Sequence, residues 1–171
     1  MLGIDFKKKS SAAHLIGHDF VCLDFSGDNL KVAHARRFHD KTEVVHLSQR
    51  NIFGLPESDI PKAILSAVAE LKLKSMNMVA VVPSNLIITK NIEIPSVDPK
   101  EIKEIVNLQA GRHTPYSREE IVVDYLDIGV SKHSYKKILL VIVSRNIVKR
   151  QFDTMERIGL RLSSVFFAPE S

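Results

Sequence analysis

Few residues in this chain of 171 are spaced to do chemistry by themselves. The one cysteine, Cys22, stands inside the apolar run Phe20-Val21-Cys22-Leu23, where a thiol packs as a small hydrophobe and has no base to activate it. A lone cysteine excludes an intramolecular disulfide and a cysteine-built metal centre, and it suits a reducing compartment. The seven histidines are scattered. His14 and His18 can share a helix face, but two imidazoles fall short of the ligand count a zinc site needs. His113 reads as a helix-end residue rather than a general base. Ser10-Ser11 and Ser163-Ser164 lack the strand-turn-helix setting that exposes a nucleophilic serine. Lys7-Lys8-Lys9 behind Phe6 either touches anionic lipid or is a solvated tail. That leaves Gly27-Asp28-Asn29, a strong turn signal between two apolar segments, which read from its residues alone is a hairpin turn.

The bulk numbers set the frame. An apolar fraction of 44% and a charged fraction of 26% are those of a soluble globular chain, long enough for one domain or two small ones. The net charge of +4 is mild and its bases are spread along the chain, so nucleic acid is not an expected partner. No apolar stretch approaches the roughly 20 residues that span a bilayer, and no apolar run follows the N-terminal bases as a signal peptide requires.

The elements that must position any site follow from periodicity. Residues 1–18 read as a flexible tail. Three strands form a meander over Phe20–Phe25, Leu30–Ala35 and Thr42–Leu47. A helix follows, capped by Ser58 or Asp59, with Pro61 in its first turn and Ile60, Ile64, Leu65, Val68 and Leu71 as its apolar face. Met78–Val82 is a short apolar strand. Meander, helix and strand together suggest the mixed sheet of ribonuclease-H-like domains. From residue 86 the order is strand (Leu86–Ile94), helix, strand (Ile121–Ile128, then Gly129), strand, helix (Arg145–Ile158, closed by Gly159) and strand (Leu160–Phe167). The first of these helices starts at Asp98 with Glu101 as a capping-box partner, presents Ile102, Ile105, Val106 and Leu108, and stops at Pro115. Ile138–Val143 is apolar throughout and so should be central. No repeat or low-complexity segment interrupts this α/β (α+β) pattern.

Three stretches resemble one family. Leu23-Asp24-Phe25-Ser26-Gly27-Asp28-Asn29-Leu30-Lys31-Val32 is similar to the first phosphate loop of the actin, Hsp70 and FtsA superfamily. Val82-Pro83-Ser84-Asn85-Leu86-Ile87-Ile88-Thr89-Lys90-Asn91-Ile92-Glu93-Ile94-Pro95 resembles the PilM segment that ends in an Ile-Glu-Leu-Pro-like tetrad. Arg112-His113-Thr114-Pro115-Tyr116, followed by Val123-Asp124-Tyr125, resembles the PilM helix end and the strand after it. The likeness covers about residues 19–168 and rests mainly on 82–125. It points to the N-terminal half of PilM, the actin-like protein family of type IV pilus assembly.

The resemblance implies a partial subdomain 1A over 19–84, then an inserted SHS2-like subdomain 1C and a return strand over 85–168, with 169–171 as a cut end. It implies a protein about twice this long, whose second phosphate loop and second lobe would follow residue 171. In the family, ATP and Mg²⁺ sit between the lobes. By position Asp24 would be the metal-side carboxylate, Lys31 the phosphate base, and Ser26, Gly27, Asp28 and Asn29 the cradle. Two departures weaken that role. Ser26 replaces a glycine, and Asp28 sets a carboxylate against the phosphates at a cost of roughly 1–4 kcal/mol. No cofactor is therefore expected for this chain alone, and no catalytic residue.

The family instead implies binding. Its members hold the cytoplasmic tail of PilN, an inner-membrane protein, in a groove between 1A and 1C. Asn85, Leu86, Ile87 and Thr89 would lie near that groove, with Arg112 and Tyr116 adding charge and an aromatic anchor. The expected place is the cytoplasmic face of the bacterial inner membrane, reached through the partner. Rival readings are the phosphate-loop half of an ATPase, or a related FtsA-like division or GspL-like type II secretion component. A sheet short of covering helices is expected to leave apolar surface open and to favour self-association.

Overall fold

The structure, a computed structural model, describes residues 19–38, 41–73, 77–130 and 135–168. The tail over 1–18, with Lys7–Lys9, His14 and His18, lies outside the described residues, as do 169–171. The chain divides into two compact units, Ser84–Val148 and the residues on either side of it in sequence, up to Pro83 and from Lys149.

The discontinuous unit is built on a five-stranded sheet. Its strands are β1 (Asp19–Asp24), β2 (Asn29–Phe38), β3 (Lys41–Asn51), β4 (Asn77–Val82) and β8 (Leu162–Phe167), in the order β3-β2-β1-β4-β8. β1, β2 and β3 form the expected antiparallel meander, and β4 and β8 add parallel to β1. The side-chain period of two decides which face is core. Val21 and Leu23, Leu30 and Val32, Met78, Ala80 and Val82, and Leu162 and Val165 are all buried. Helix α1 (Ile60–Ala69) covers this face through Ile64, Ala67 and Val68, and Met155 of α3 (Arg145–Glu156) is buried as well.

Several local expectations differ from what forms. Asp59 stands at the N-cap of α1, yet its carboxylate accepts from Lys62 Nζ at 2.9 Å and makes no cap bond. Leu65, counted into the apolar stripe, is exposed, because the sheet leaves room only for the Ile64–Val68 side. β3 runs four residues further than Thr42–Leu47, and a bulge at Val45, between the His34–His46 and Ala35–Val44 pairs, turns the end of this edge strand. Gly159 does close α3: its φ of +71° lets the Leu160 N–H reach back to Met155 C=O at 3.0 Å.

The contiguous unit is a three-stranded antiparallel sheet with one helix. β5 (Ile87–Ile94), β7 (Lys136–Ser144) and β6 (Ile121–Val130) lie in the order β5-β7-β6, so the strand that carries the apolar run Ile138–Val143 is the central one. Helix α2 (Pro99–Ala110) packs Ile102, Val106 and Ala110 against Ile94, Ile121, Ile138, Leu140 and Ile142. Leu108 was expected on that face but is 76% exposed, one step round the helix from the stripe that Ile102 and Val106 define. The expected Asp98–Glu101 box is replaced by two separate bonds. Asp98 accepts from the Lys100 N–H at 2.8 Å, while Ser96 donates its hydroxyl to Glu101. Leu86 falls in a 3-10 turn, Ser84–Leu86, ahead of β5, and Gly129 sits inside β6 at a bulge with φ of +126°.

Candidate functional site

The first candidate place is the β1–β2 turn. Asp24 ends β1 directly opposite Lys31 of β2, and the Lys31 ammonium stands 3.4 Å from its carboxylate. The other Asp24 oxygen accepts from the Ser26 N–H at 3.2 Å. The Ser26 hydroxyl is turned toward α3, where Gln151 donates to it at 3.1 Å. The Asp28 carbonyl accepts from the Ile52 N–H at 2.8 Å, tying the turn to the end of β3. Gly27 has neither a left-handed backbone nor a neighbour within 4 Å of a Cβ, so nothing in this turn demands glycine there. Gly27 and Asp28 are exposed and Asn29 starts β2.

These bonds make the segment a closed hairpin. The Asp24 carboxylate, the Ser26 N–H and the Ser26 hydroxyl are engaged within the protein, and the exposed Asp28 carboxylate would oppose an anion. The residues present therefore fit a turn better than a phosphate cradle. Cys22, on β1 nearby, has its thiol pKa pushed up by burial first and by the Asp24 charge second, which keeps it unreactive. Among the described residues no group of three or more histidine, cysteine, aspartate or glutamate side chains is placed to hold a metal.

The second place is one end of the three-stranded sheet. β5 and β6 both run antiparallel to β7, and Ile87 and Ile121 pair with Val143 and Ser144, so their first residues share an end. Two strand spacings, about 10 Å, separate them. Asn85 and Leu86 in the 3-10 turn and Ile87 and Thr89 on β5 lie at this end, and the α2–β6 loop that carries Arg112 and Tyr116 leads into β6 there. Asn85, Thr89, Arg112 and Tyr116 are exposed, and Leu86 and Ile87 half-buried. β5 is an edge strand, paired only with β7 among the described residues.

The loop carrying Arg112 and Tyr116 is held from several sides. Arg112 N–H donates to Gln109 C=O at 2.9 Å, His113 N–H to Ala110 C=O at 3.1 Å and Tyr116 N–H to the Thr114 hydroxyl at 3.3 Å. Ser117 N–H donates to Glu120 at 2.9 Å, and this bond holds the Glu120 carboxyl below its ordinary pKa. Arg145 reaches across to the carbonyls of Glu119 at 2.7 Å and Ile121 at 3.0 Å. Arg145 and Gln151 were not singled out from sequence. Each acts across a long sequence gap, and an arginine or glutamine in a helix gives no local sign of that.

Comparison with known proteins adds the family. No curated protein matches the chain. The profile of type IV pilus assembly protein PilM matches residues 43–166. The chain belongs to the PilM family. Among solved structures, the PilM chain of a PilM–PilN type IV pilus biogenesis complex superposes with a TM-score of 0.74 at 16% identity, over 90% of this chain and 48% of that one. The cytoplasmic domain of EpsL, an inner-membrane component of the type II secretion system of Vibrio cholerae, superposes with a TM-score of 0.60 at 13% identity, over 90% of this chain and 60% of that one. This PilM-family chain thus has a partial actin-like fold and spans about half the length of the PilM structure it matches. No helix among its described residues is long and apolar enough to cross a membrane.

Proposed function

We propose that this PilM-family chain is a scaffold of type IV pilus assembly that holds the short tail of a PilN-like inner-membrane protein and is brought to the membrane's cytoplasmic face by that partner. The observation that carries the reading is the family match over residues 43–166, and the likeness to a PilM chain solved in complex with PilN supports it. The end of the three-stranded sheet supplies a physical route. An extended peptide can add beside the β5 edge through main-chain hydrogen bonds, starting at Ile87 and Thr89. Tyr116 offers an amphipathic ring on a braced loop, and Arg112 a charge for an acidic group on the tail. The closed β1–β2 turn favours this reading over an ATPase; ATP and Mg²⁺ belong to the longer family protein.

Calorimetric titration of a synthetic PilN N-terminal peptide into the folded chain is expected to saturate. Tyr116→Ala and Arg112→Glu should each weaken the binding by about tenfold, the effect of a modest interface anchor. A folded sample that gives no heat at any peptide concentration rules the scaffold out.

A further inference from the structure

Arg145 stands where α3 has no electrostatic use for it. It opens the helix, and a cation in the first turn faces the positive end of the helix dipole. Its bonds run the other way, back to the strand beside β7. Ile121, the first residue of β6, pairs with Ser144, the last of β7, and the chain then turns into α3. By that antiparallel register Glu119 and Glu120 lie beyond the end of β7. The Arg145 guanidinium takes the place of the departed strand: its Nε donates to Glu119 C=O at 2.7 Å and its Nη2 to Ile121 C=O at 3.0 Å. One planar fork thus holds two alternate carbonyls, a geometry that a lysine ammonium does not supply. The α2 end of the same loop is tied separately, by Arg118 to the Asn107 side chain. All of these residues belong to the contiguous unit.

We propose that Arg145 is a positioning residue for the PilN-like tail: without touching the tail, it holds the α2–β6 loop so that Arg112 and Tyr116 are in place before the tail arrives. The proposal rests on the scaffold reading. Its first argument is the kind of bond each part of the loop makes. Tyr116 N–H to the Thr114 hydroxyl and Ser117 N–H to the Glu120 carboxylate are local bonds. They shape the loop and leave its direction from the sheet open. The ties at Asn107 and Arg145 fix that direction, one from α2 and one from the end of β7. The second argument is where the Arg145 grip falls. Glu119 and Ile121 follow closely on Tyr116, so freeing them frees the ring that would anchor the tail. The third is energetic. A loop that must be ordered by its ligand loses affinity to that ordering, whereas one ordered in advance does not. The division of labour is then plain: Arg112 and Tyr116 are exposed and open to a partner, and Arg145 spends its donors on the main chain behind them.

Amide hydrogen exchange on the free 171-residue chain, with calorimetric titration of the synthetic PilN N-terminal peptide, tests this. In Arg145→Ala the amides of residues 112–120 are expected to exchange at least about tenfold faster, with those of β5 and β7 unchanged. The peptide dissociation constant should rise about tenfold, through a less favourable binding entropy. Arg145→Lys keeps the charge and loses the fork, so it should bind nearly as weakly, and it keeps the test valid if the alanine variant fails to fold. In a Tyr116→Ala background the effect of Arg145→Ala should shrink to about threefold or less, because a positioning residue acts through the side chain it places. An independent contact, or a general loss of stability, would cost as much in either background. A parent chain that binds while both Arg145 variants bind equally well overturns the proposal and leaves the scaffold reading standing. So do a lysine variant that matches the parent, loop exchange that does not change, an effect undiminished without Tyr116, and loss of folding in both variants. A folded parent that takes up no peptide overturns the scaffold reading, and this proposal falls with it.

Discussion

At the scale of single residues, polar groups in the sheet matter through whom they hold. Asp19 accepts from Arg36 Nε at 2.9 Å and lies 2.8 Å from His34 Nε2, and His34 is only 4% exposed. The Arg36 bond first, and the His34 bond second, hold the Asp19 carboxyl below its ordinary pKa. A depressed carboxylate contributes stability that is present above its unfolded value, near about 3.9, and is lost as pH falls through the folded one. Asp19→Asn should therefore lower the urea midpoint at neutral pH, and the gap to the parent chain should close as the pH drops below about 4. A gap independent of pH would place the cost in packing instead. Gln151 poses the opposite case. It is 3% exposed, and its amide oxygen has no hydrogen-bond partner among the described residues, while its NH₂ holds Ser26. The Ser26 hydroxyl is thereby taken by this helix.

At the scale of elements, local signals and tertiary choices separate cleanly. Asp98 caps α2 by a bond made within two residues, and the sequence showed it; Asp98→Ala should cost about 0.5–2 kcal/mol, read from chemical denaturation. The meander, the central place of β7 and the Gly159 stop were equally legible, since each rests on period, composition or a residue that alone tolerates its φ. What was not legible depends on the neighbour an element meets. Leu65 and Leu108 satisfy a helical stripe on paper, but which side of a broad stripe is buried is set by the sheet beneath. Glu101 took Ser96 and Asp59 took Lys62 because charged and hydroxyl groups one turn away compete for the same cap. For the candidate site, sequence supplied the residues at the end of the three-stranded sheet. It gave no sign of Arg145, which braces their loop from two strands further along the chain.

At the scale of the whole molecule, two units of different make-up share one chain. Ser84–Val148 holds its own core, eight buried residues around Leu140 and Ile138. Expressed by itself it should fold, giving a dispersed amide spectrum and a cooperative thermal transition; a non-cooperative melt would show that it needs its flanks. The other unit has no such independence, because β8 is contributed from beyond residue 149 and pairs with β4 from before residue 83. This has a consequence for how the protein is born. Synthesis runs from the N-terminus, and domains commonly fold in that order as they emerge. Here β1 to β4 leave the ribosome first yet must wait, with one side of β4 unpaired, while the whole of Ser84–Val148 is made and folded. The sheet begun first gains its β8 strand, six residues long, only after the other unit has been made. During that wait β4 is a free strand edge, so a pause in translation just after Val148 is the moment at which a nascent chain of this protein is most open to wrong pairing.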